Sequence, residues 1–225
     1  MSLNQDIQNT INNFRENFPP ELSALIEQGA GEISALEILE VALKKGDKAP
    51  DFTLNDRKGL THSLSSYLSN GPLVITFYRG AWCPYCNLQL AAYNAHLDEI
   101  KAAGGTLIAV TPETPDGIPA FKESGVPDEM KASVIEDPDF DVLHDPDNKL
   151  GQKFGLEFKL PDAHIKLFEM MNFDIEKANG NANYTFSDPA TYIIGTDGLI
   201  KWAFVPNNYR KRANPDEIIK QLKAL

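Results

Sequence analysis

Two cysteines, Cys83 and Cys86, are the only sulfhydryl groups in the chain, and they stand three positions apart. They follow the apolar run Leu73-Val74-Ile75-Thr76-Phe77-Tyr78, which reads as a buried strand, and precede a segment with helical periodicity. A thiol reacts as its thiolate, and a helix N-terminus favours that form through its unsatisfied N–H groups. Arg79, four residues before Cys83, adds a cation able to stabilise a negative sulfur. Pro84 suits the first position of a helix, where its missing N–H costs nothing. At this spacing the sulfurs can meet and close a small disulfide, so that one oxidised to a sulfenic acid is resolved by the other. The chemistry implied is dithiol redox chemistry carried by Cys83 and Cys86.

Other chemistries have less support. A zinc site needs four ligands, and His62, His96, His144 and His164 show no paired ligand spacing, so no metal or other cofactor is expected. There is no Gly-x-Ser-x-Gly elbow and no glycine-rich phosphate loop. Arg210, Lys211 and Arg212 read as a solvated basic patch, with an approach to the thiols as the sharper alternative.

The rest of the chain has to position this pair. Its 225 residues suffice for one sizeable core, and 42% apolar and 24% charged residues suit a globular protein. A net charge of −11 argues against a nucleic-acid-binding face. No apolar run approaches the roughly 20 residues that span a bilayer. The N-terminus lacks the basic start and apolar stretch of a signal peptide, so the expected compartment is the cytoplasm, where a paired Cys-x-x-Cys is more often catalytic than structural.

Residues 1–45 read as a helical extension: one helix through Ile7, Ile11 and Phe14, a second ending near Gly29 and Gly31, and a third from Ile33 through Leu43. It either packs on the main domain or makes a homodimer contact. Residues 46–225 form the main domain. A helix is expected from about Cys83 to Ala103, stopped by Gly104-Gly105, then a strand at Thr106–Val110 and a helix near Ile118–Lys122. A strand at Asp141–His144 and a helix around Asn148–Phe154 follow. Thr191–Ile194 and Leu199–Val205 flank Asp197-Gly198 as a hairpin, and Asn214-Pro215 opens the last helix. Such alternation predicts an α/β fold with a central mixed sheet flanked by helices. An insertion at about 155–188 interrupts it with the apolar patch Leu167, Phe168, Met170, Met171 and Phe173, read as core or as a cap shaping an apolar pocket over the thiols.

With these residues in place, the sequence resembles the thioredoxin-fold suprafamily and, within it, the peroxiredoxin (AhpC/TSA) family over roughly residues 46–225. The resemblance rests on Gly46–Leu54, on Phe77–Cys86 and on Thr191–Ile200, and Cys83-Pro84-Tyr85-Cys86 is identical to the glutaredoxin dithiol motif. It implies a thioredoxin-like fold and a peroxide substrate, with thioredoxin- or glutaredoxin-type proteins as reductant. Pro189 is similar to the proline that such proteins hold in cis facing the thiols. The peroxiredoxin pattern Pro-x-x-x-Thr-x-x-Cys falls without a gap on Arg79, Cys83 and Cys86, which makes Cys86 the attacking sulfur. In the thioredoxin frame the attacker is Cys83. The gap-free frame favours Cys86, and the whole looks most like the peroxiredoxin-like subgroup with a thioredoxin-style dithiol. A thiol peroxidase is the leading expectation; a protein disulfide reductase and a non-catalytic redox sensor are the alternatives.

Overall fold

The structure, a computed structural model, describes residues 2–225. Helices α1 (Leu3–Asn17), α2 (Pro20–Ser34) and α3 (Ile38–Val41) come first. Strands β1 (Thr53–Asp56) and β2 (Thr61–Ser63), helix α4 (Leu64–Leu68) and strand β3 (Leu73–Phe77) follow. The next units are α5 (Pro84–Ala95), α6 (Leu97–Ala102), β4 (Thr106–Thr111), α7 (Gly117–Glu123), α8 (Asp128–Ala132) and β5 (Asp141–His144). After α9 (Lys149–Lys153) come β6 (Glu157–Lys159), α10 (Asp162–Met170), α11 (Ile175–Asn179) and β7 (Thr185–Ser187). Strands β8 (Thr191–Ile194) and β9 (Ile200–Phe204) and helix α12 (Pro215–Leu222) end the chain.

The seven-stranded sheet has the order β2-β1-β5-β4-β3-β8-β9, and β6 pairs with β7 in a separate two-stranded sheet. Strand β3 lies parallel to β4 and antiparallel to β8, and β4 lies parallel to β5, so the sheet is mixed as expected. Every residue of β3 is buried, which explains why its sequence is a continuous apolar run rather than an alternating one. The thiol loop therefore leaves the carboxyl end of a central strand, where α/β sheets place their sites. Among the described residues no helix is long and apolar enough to cross a membrane.

Helix α2 runs through Gly29 and Gly31 instead of stopping there. A Cβ on Gly29 would lie 2.4 Å from the His164 ring, so this glycine is a notch that lets α10 approach α2. The carbonyls of Ser34 and Leu36 accept from the Asn207 side chain at 3.2 and 2.7 Å, and the third helix is reduced to one turn. The helix expected over 83–103 breaks at His96, whose φ of −105° and ψ of 13° are not helical. The apolar faces of α1 and α2 join the same core as the sheet, through Leu3, Ile7, Ile11 and Ile33. His62 bridges Asp56 and Asp141, and their ligating atoms lie within 4.8 Å of one another at the far sheet edge, away from the thiols.

The Asp188–Pro189 bond is trans, not cis. The chain passes extended from β7 into β8: Asp188 N–H donates to Leu156 O, and Ala190 O accepts from Phe77 N–H, each at 2.8 Å. No turn is demanded there, and trans is favoured by about 0.5–1 kcal/mol. Pro189 is buried beside the end of β3, the strand that delivers the thiol loop.

Candidate active site

The loop from β3 into α5 is folded by close contacts. Gly80 adopts a φ of +147°, and a Cβ there would lie 2.4 Å from Trp82 Nε1 and 3.0 Å from Glu113 Oε1. Cys83 N–H donates to Gly80 O at 3.1 Å to close the turn. Cys83 is the N-cap of α5, Pro84 is its first residue, and Cys86 lies in its first turn. Asn87 Nδ2 donates to Ala81 O at 2.7 Å, and Ala81 N–H donates to Glu113 Oε1 at 2.9 Å. The loop is thus tied from above by α5 and from below by β4.

Both sulfurs are free and fully buried. Cys86 Sγ donates to Cys83 Sγ at 2.7 Å. Arg79 Nη2 donates to Cys83 Sγ at 3.1 Å, and Arg212 Nη2 donates to Cys86 Sγ at 3.3 Å. Burial opposes ionisation of Cys83, but the proton offered by Cys86 and the charges of Arg79 and Arg212 outweigh it and hold this thiol well below its ordinary range. Burial and the adjacent Cys83 push Cys86 well above that range. The environment thus favours Cys83 as the thiolate and Cys86 as the sulfur that keeps its proton. Arg79 is itself wedged between aromatic rings, 3.9 Å from the centroid of Tyr209 and 4.8 Å from that of Trp82.

Arg212 is not part of a solvated patch. It is 2% exposed, and its guanidinium also donates to the carbonyls of Tyr209 and Lys211. Tyr93 OH donates to Ala213 O at 3.1 Å, and Arg212 N–H donates to Asn4 Oδ1 at 3.4 Å, so α5 and α1 together fix its backbone. Arg210 is half-buried on Glu27, with both its Nη atoms at 3.0 Å from the carboxylate. Only Lys211 of the three is exposed.

Two buried carboxylates escape the sequence reading. Burial pushes Glu113 up to about 7, against the pull of Arg57, whose Nη2 lies 3.5 Å from its Oε2. Burial likewise raises Asp188 to about 6, with Arg212 and Arg79 drawing it down, and neither of its oxygens has a hydrogen-bond partner. The signal for Glu113 was its place just past β4, whose carboxyl end adjoins that of β3. Asp188 carried none beyond standing next to Pro189.

These two groups predict how stability varies with pH. Unfolded, Glu113 ionises near 4.5; folded, near 7, so its contribution is intact below 4.5 and is lost as pH rises through 7. A shift of that size corresponds to about 3 kcal/mol at most. Asp188 acts in the same direction over a lower window. Glu113→Gln is therefore expected to shrink the fall in unfolding midpoint between pH 5 and pH 8. An unchanged fall would show that the carboxylate is not the cause.

A narrow apolar pocket of about 50 Å3 ends on Arg79, Trp82 and Pro84. Leu167, Phe168 and Met171 wall it on one side, and Phe14 of α1 and Phe18 just past its end on the other. The apolar patch of the insertion is thus both core and pocket wall, and the two readings of it are not alternatives.

A reduced dithiol at the N-terminus of the helix that follows a central strand, on a mixed sheet flanked by helices, defines a thioredoxin-like α/β protein. The chain belongs to the AhpC/TSA family, whose model matches residues 45–203. It is 30% identical over 181 residues to peroxiredoxin Bcp of Escherichia coli, covering 80% of this chain and 96% of that protein. A Mycobacterium tuberculosis relative is 31% identical over 101 residues, 45% of this chain, and the match spans 62% of its length. Among solved structures, peroxidoxin BcpB from Mycobacterium tuberculosis superposes with a TM-score of 0.56 at 20% identity, covering 81% of this chain and 98% of that one.

Proposed function

We propose that the protein is a thiol-dependent peroxidase working through a Cys83/Cys86 dithiol–disulfide cycle. The observation that carries this reading is the division of labour between the sulfurs. Cys83 is held as a thiolate by Arg79, and Cys86 keeps a proton and points it at Cys83 from 2.7 Å. The Cys83 thiolate attacks one peroxide oxygen, the O–O bond breaks, and the leaving oxygen departs as water or an alcohol after taking up a proton. Cys86 Sγ then attacks the sulfenic sulfur, expelling water and closing the disulfide. A thioredoxin- or glutaredoxin-type donor thiol reopens it.

This assignment favours the thioredoxin order, with Cys83 attacking, over the gap-free frame that favoured Cys86. Arg212 stands beside the second sulfur and supplies a further donor for a peroxide oxygen. Pro189 packs at the strand end that carries the loop and acts as a positioning residue. The pocket at Arg79 is lined mainly by apolar side chains, which suits an organic hydroperoxide as well as hydrogen peroxide.

The test is stopped-flow consumption of hydrogen peroxide by the reduced protein at pH 7. Complete ionisation alone gives about 30-fold over free cysteine, whose pKa is near 8.5. A rate beyond that is expected. A rate equal to that of free cysteine sinks the proposal, and insulin reduction without peroxide turnover would replace it with a disulfide reductase.

A further inference from the structure

The peptide unit that joins Gly80 to Ala81 is held at both edges. On one edge Gly80 O accepts from Cys83 N–H at 3.1 Å, closing the turn that makes Cys83 the N-cap of α5. On the other edge Ala81 N–H donates to Glu113 Oε1 at 2.9 Å. A peptide is planar, so fixing its N–H fixes the direction of its carbonyl, and with it the backbone of Cys83. Ala81 is buried, and its N–H needs a protein acceptor. The loop leaves room for this one carboxyl group. A Cβ on Gly117, at the start of α7, would overlap Glu113 Cγ, and one on Gly80 would lie 3.0 Å from Glu113 Oε1. The backbone around Glu113 is fixed as well: its N–H donates to Thr111 Oγ1 at 3.2 Å, and Thr114 N–H donates to Ala178 O at 2.9 Å. Arg57, in the turn between β1 and β2, steadies the second oxygen. Its Nη2 lies 3.5 Å from Glu113 Oε2 and donates to Tyr78 OH at 2.9 Å, while its Nη1 donates to Glu136 O at 3.0 Å.

Resting on the peroxidase reading of the dithiol, we propose that Glu113 is a positioning residue, whose carboxyl clamps the Gly80–Ala81 peptide and so sets the Cys83 sulfur against Arg79. Its hydrogen bond goes to the loop backbone and not to either sulfur. Arg79 is anchored separately, between the rings of Tyr209 and Trp82. The 3.1 Å bond from Arg79 Nη2 to Cys83 Sγ therefore depends on the turn that brings the sulfur to the guanidinium. A bond on the Ala81 N–H also polarises the peptide and strengthens the carbonyl that accepts from Cys83 N–H. Reach, rather than charge, is what the clamp requires. An acceptor has to stand where Oε1 stands. Its negative charge strengthens that one bond but repels the Cys83 thiolate.

Two variants of the full chain separate reach from charge. Glu113→Asp keeps the charge but stops one C–C bond short, about 1.5 Å, which takes the acceptor out of range of Ala81 N–H. Glu113→Gln keeps the reach and an acceptor oxygen without the charge. In stopped-flow reaction of the reduced protein with hydrogen peroxide, Glu113→Asp is expected to lose about tenfold or more, as a displaced nucleophile does. Glu113→Gln is expected to lose no more than about threefold, since only the charge assistance is gone. The Cys83 titration is recorded by thiolate absorbance without peroxide. It is expected to move upward in Glu113→Asp, as the sulfur leaves Arg79, whereas removing a like charge in Glu113→Gln cannot move it that way. This readout holds whether or not the protein turns over peroxide, so failure of the peroxidase reading and failure of the clamp are separate results. Amide exchange on the unaltered chain tests the clamp with no variant at all: the Ala81 and Cys83 N–H groups, on opposite edges of one peptide, are expected to exchange slowly and together. A Cys83 titration that stays in place in Glu113→Asp, a Glu113→Gln rate as low as that of Glu113→Asp, or an Ala81 amide that exchanges freely while that of Cys83 is protected would each overturn the proposal.

Discussion

Cys83→Ser is expected to lose peroxide turnover by about a thousandfold or more, the scale on which removal of a covalent nucleophile is felt. The remaining sulfur, Cys86, is buried, sits beside one guanidinium, and ionises only well above the ordinary thiol range. With Cys83 gone, the neighbouring negative sulfur that helped hold the Cys86 proton is gone too, but burial still opposes ionisation of Cys86, and the sulfur that Arg79 contacts is lost. Cys86→Ser should behave differently. Cys83 keeps its bond to Arg79, and the new hydroxyl can donate to the thiolate in place of the lost S–H. That variant is expected to consume one equivalent of peroxide and stop, with a sulfenic acid that dimedone traps. Stopped-flow kinetics with trapping reads both variants in one assay. A trapped sulfenic acid in Cys83→Ser, with none in Cys86→Ser, would restore Cys86 as the attacker and make the gap-free peroxiredoxin frame the right one.

That reversal is possible only because the motif holds two sulfurs and the sequence does not say which carries the proton. The strand, the loop and the helix that set the pair were legible, since an apolar run, a proline after the first cysteine and apolar residues at helical spacing are local signals. What was not legible depends on contacts between distant segments. Arg212 lies 126 positions from Cys86 and reaches it because Tyr93 and Asn4 hold its backbone, which no local pattern encodes. Gly29 read as a helix stop because a glycine's left-handed freedom and its missing side chain look alike in sequence. Only the ring of His164, packed where a Cβ would be, distinguishes them. Pro189 failed in the opposite sense. Resemblance implied a cis bond, but the bonds from Asp188 to Leu156 and from Ala190 to Phe77 already hold the chain extended. The sheet emerged as expected because its strands are continuous apolar stretches between clear breaks.

Arg79→Met is expected to lower the peroxide rate at pH 7 by about 10- to 100-fold, through the ionisation of Cys83. Arg79 is the nearest fixed cation to that sulfur, and an opposite charge in contact typically moves a pKa by about one to three units. Without it, burial acts almost unopposed, and the Cys83 titration, followed by thiolate absorbance near 240 nm, should move upward. Folding is expected to survive. Methionine fills much of the arginine's volume between Tyr209 and Trp82, and the loss of a buried cation is tolerable when its partner can neutralise itself by protonation. The distinguishing readout is the pH profile. If Arg79 acts by holding the thiolate, raising the pH towards 9 restores most of the lost rate, because hydroxide then supplies the thiolate that the guanidinium no longer stabilises. If the guanidinium also binds the peroxide oxygen in the transition state, part of the deficit persists with Cys83 fully ionised. A deficit that does not change with pH, with the Cys83 titration unmoved, would confine Arg79 to the peroxide oxygen and leave the thiolate to the helix terminus and Arg212; no deficit at all would remove Arg79 from the chemistry.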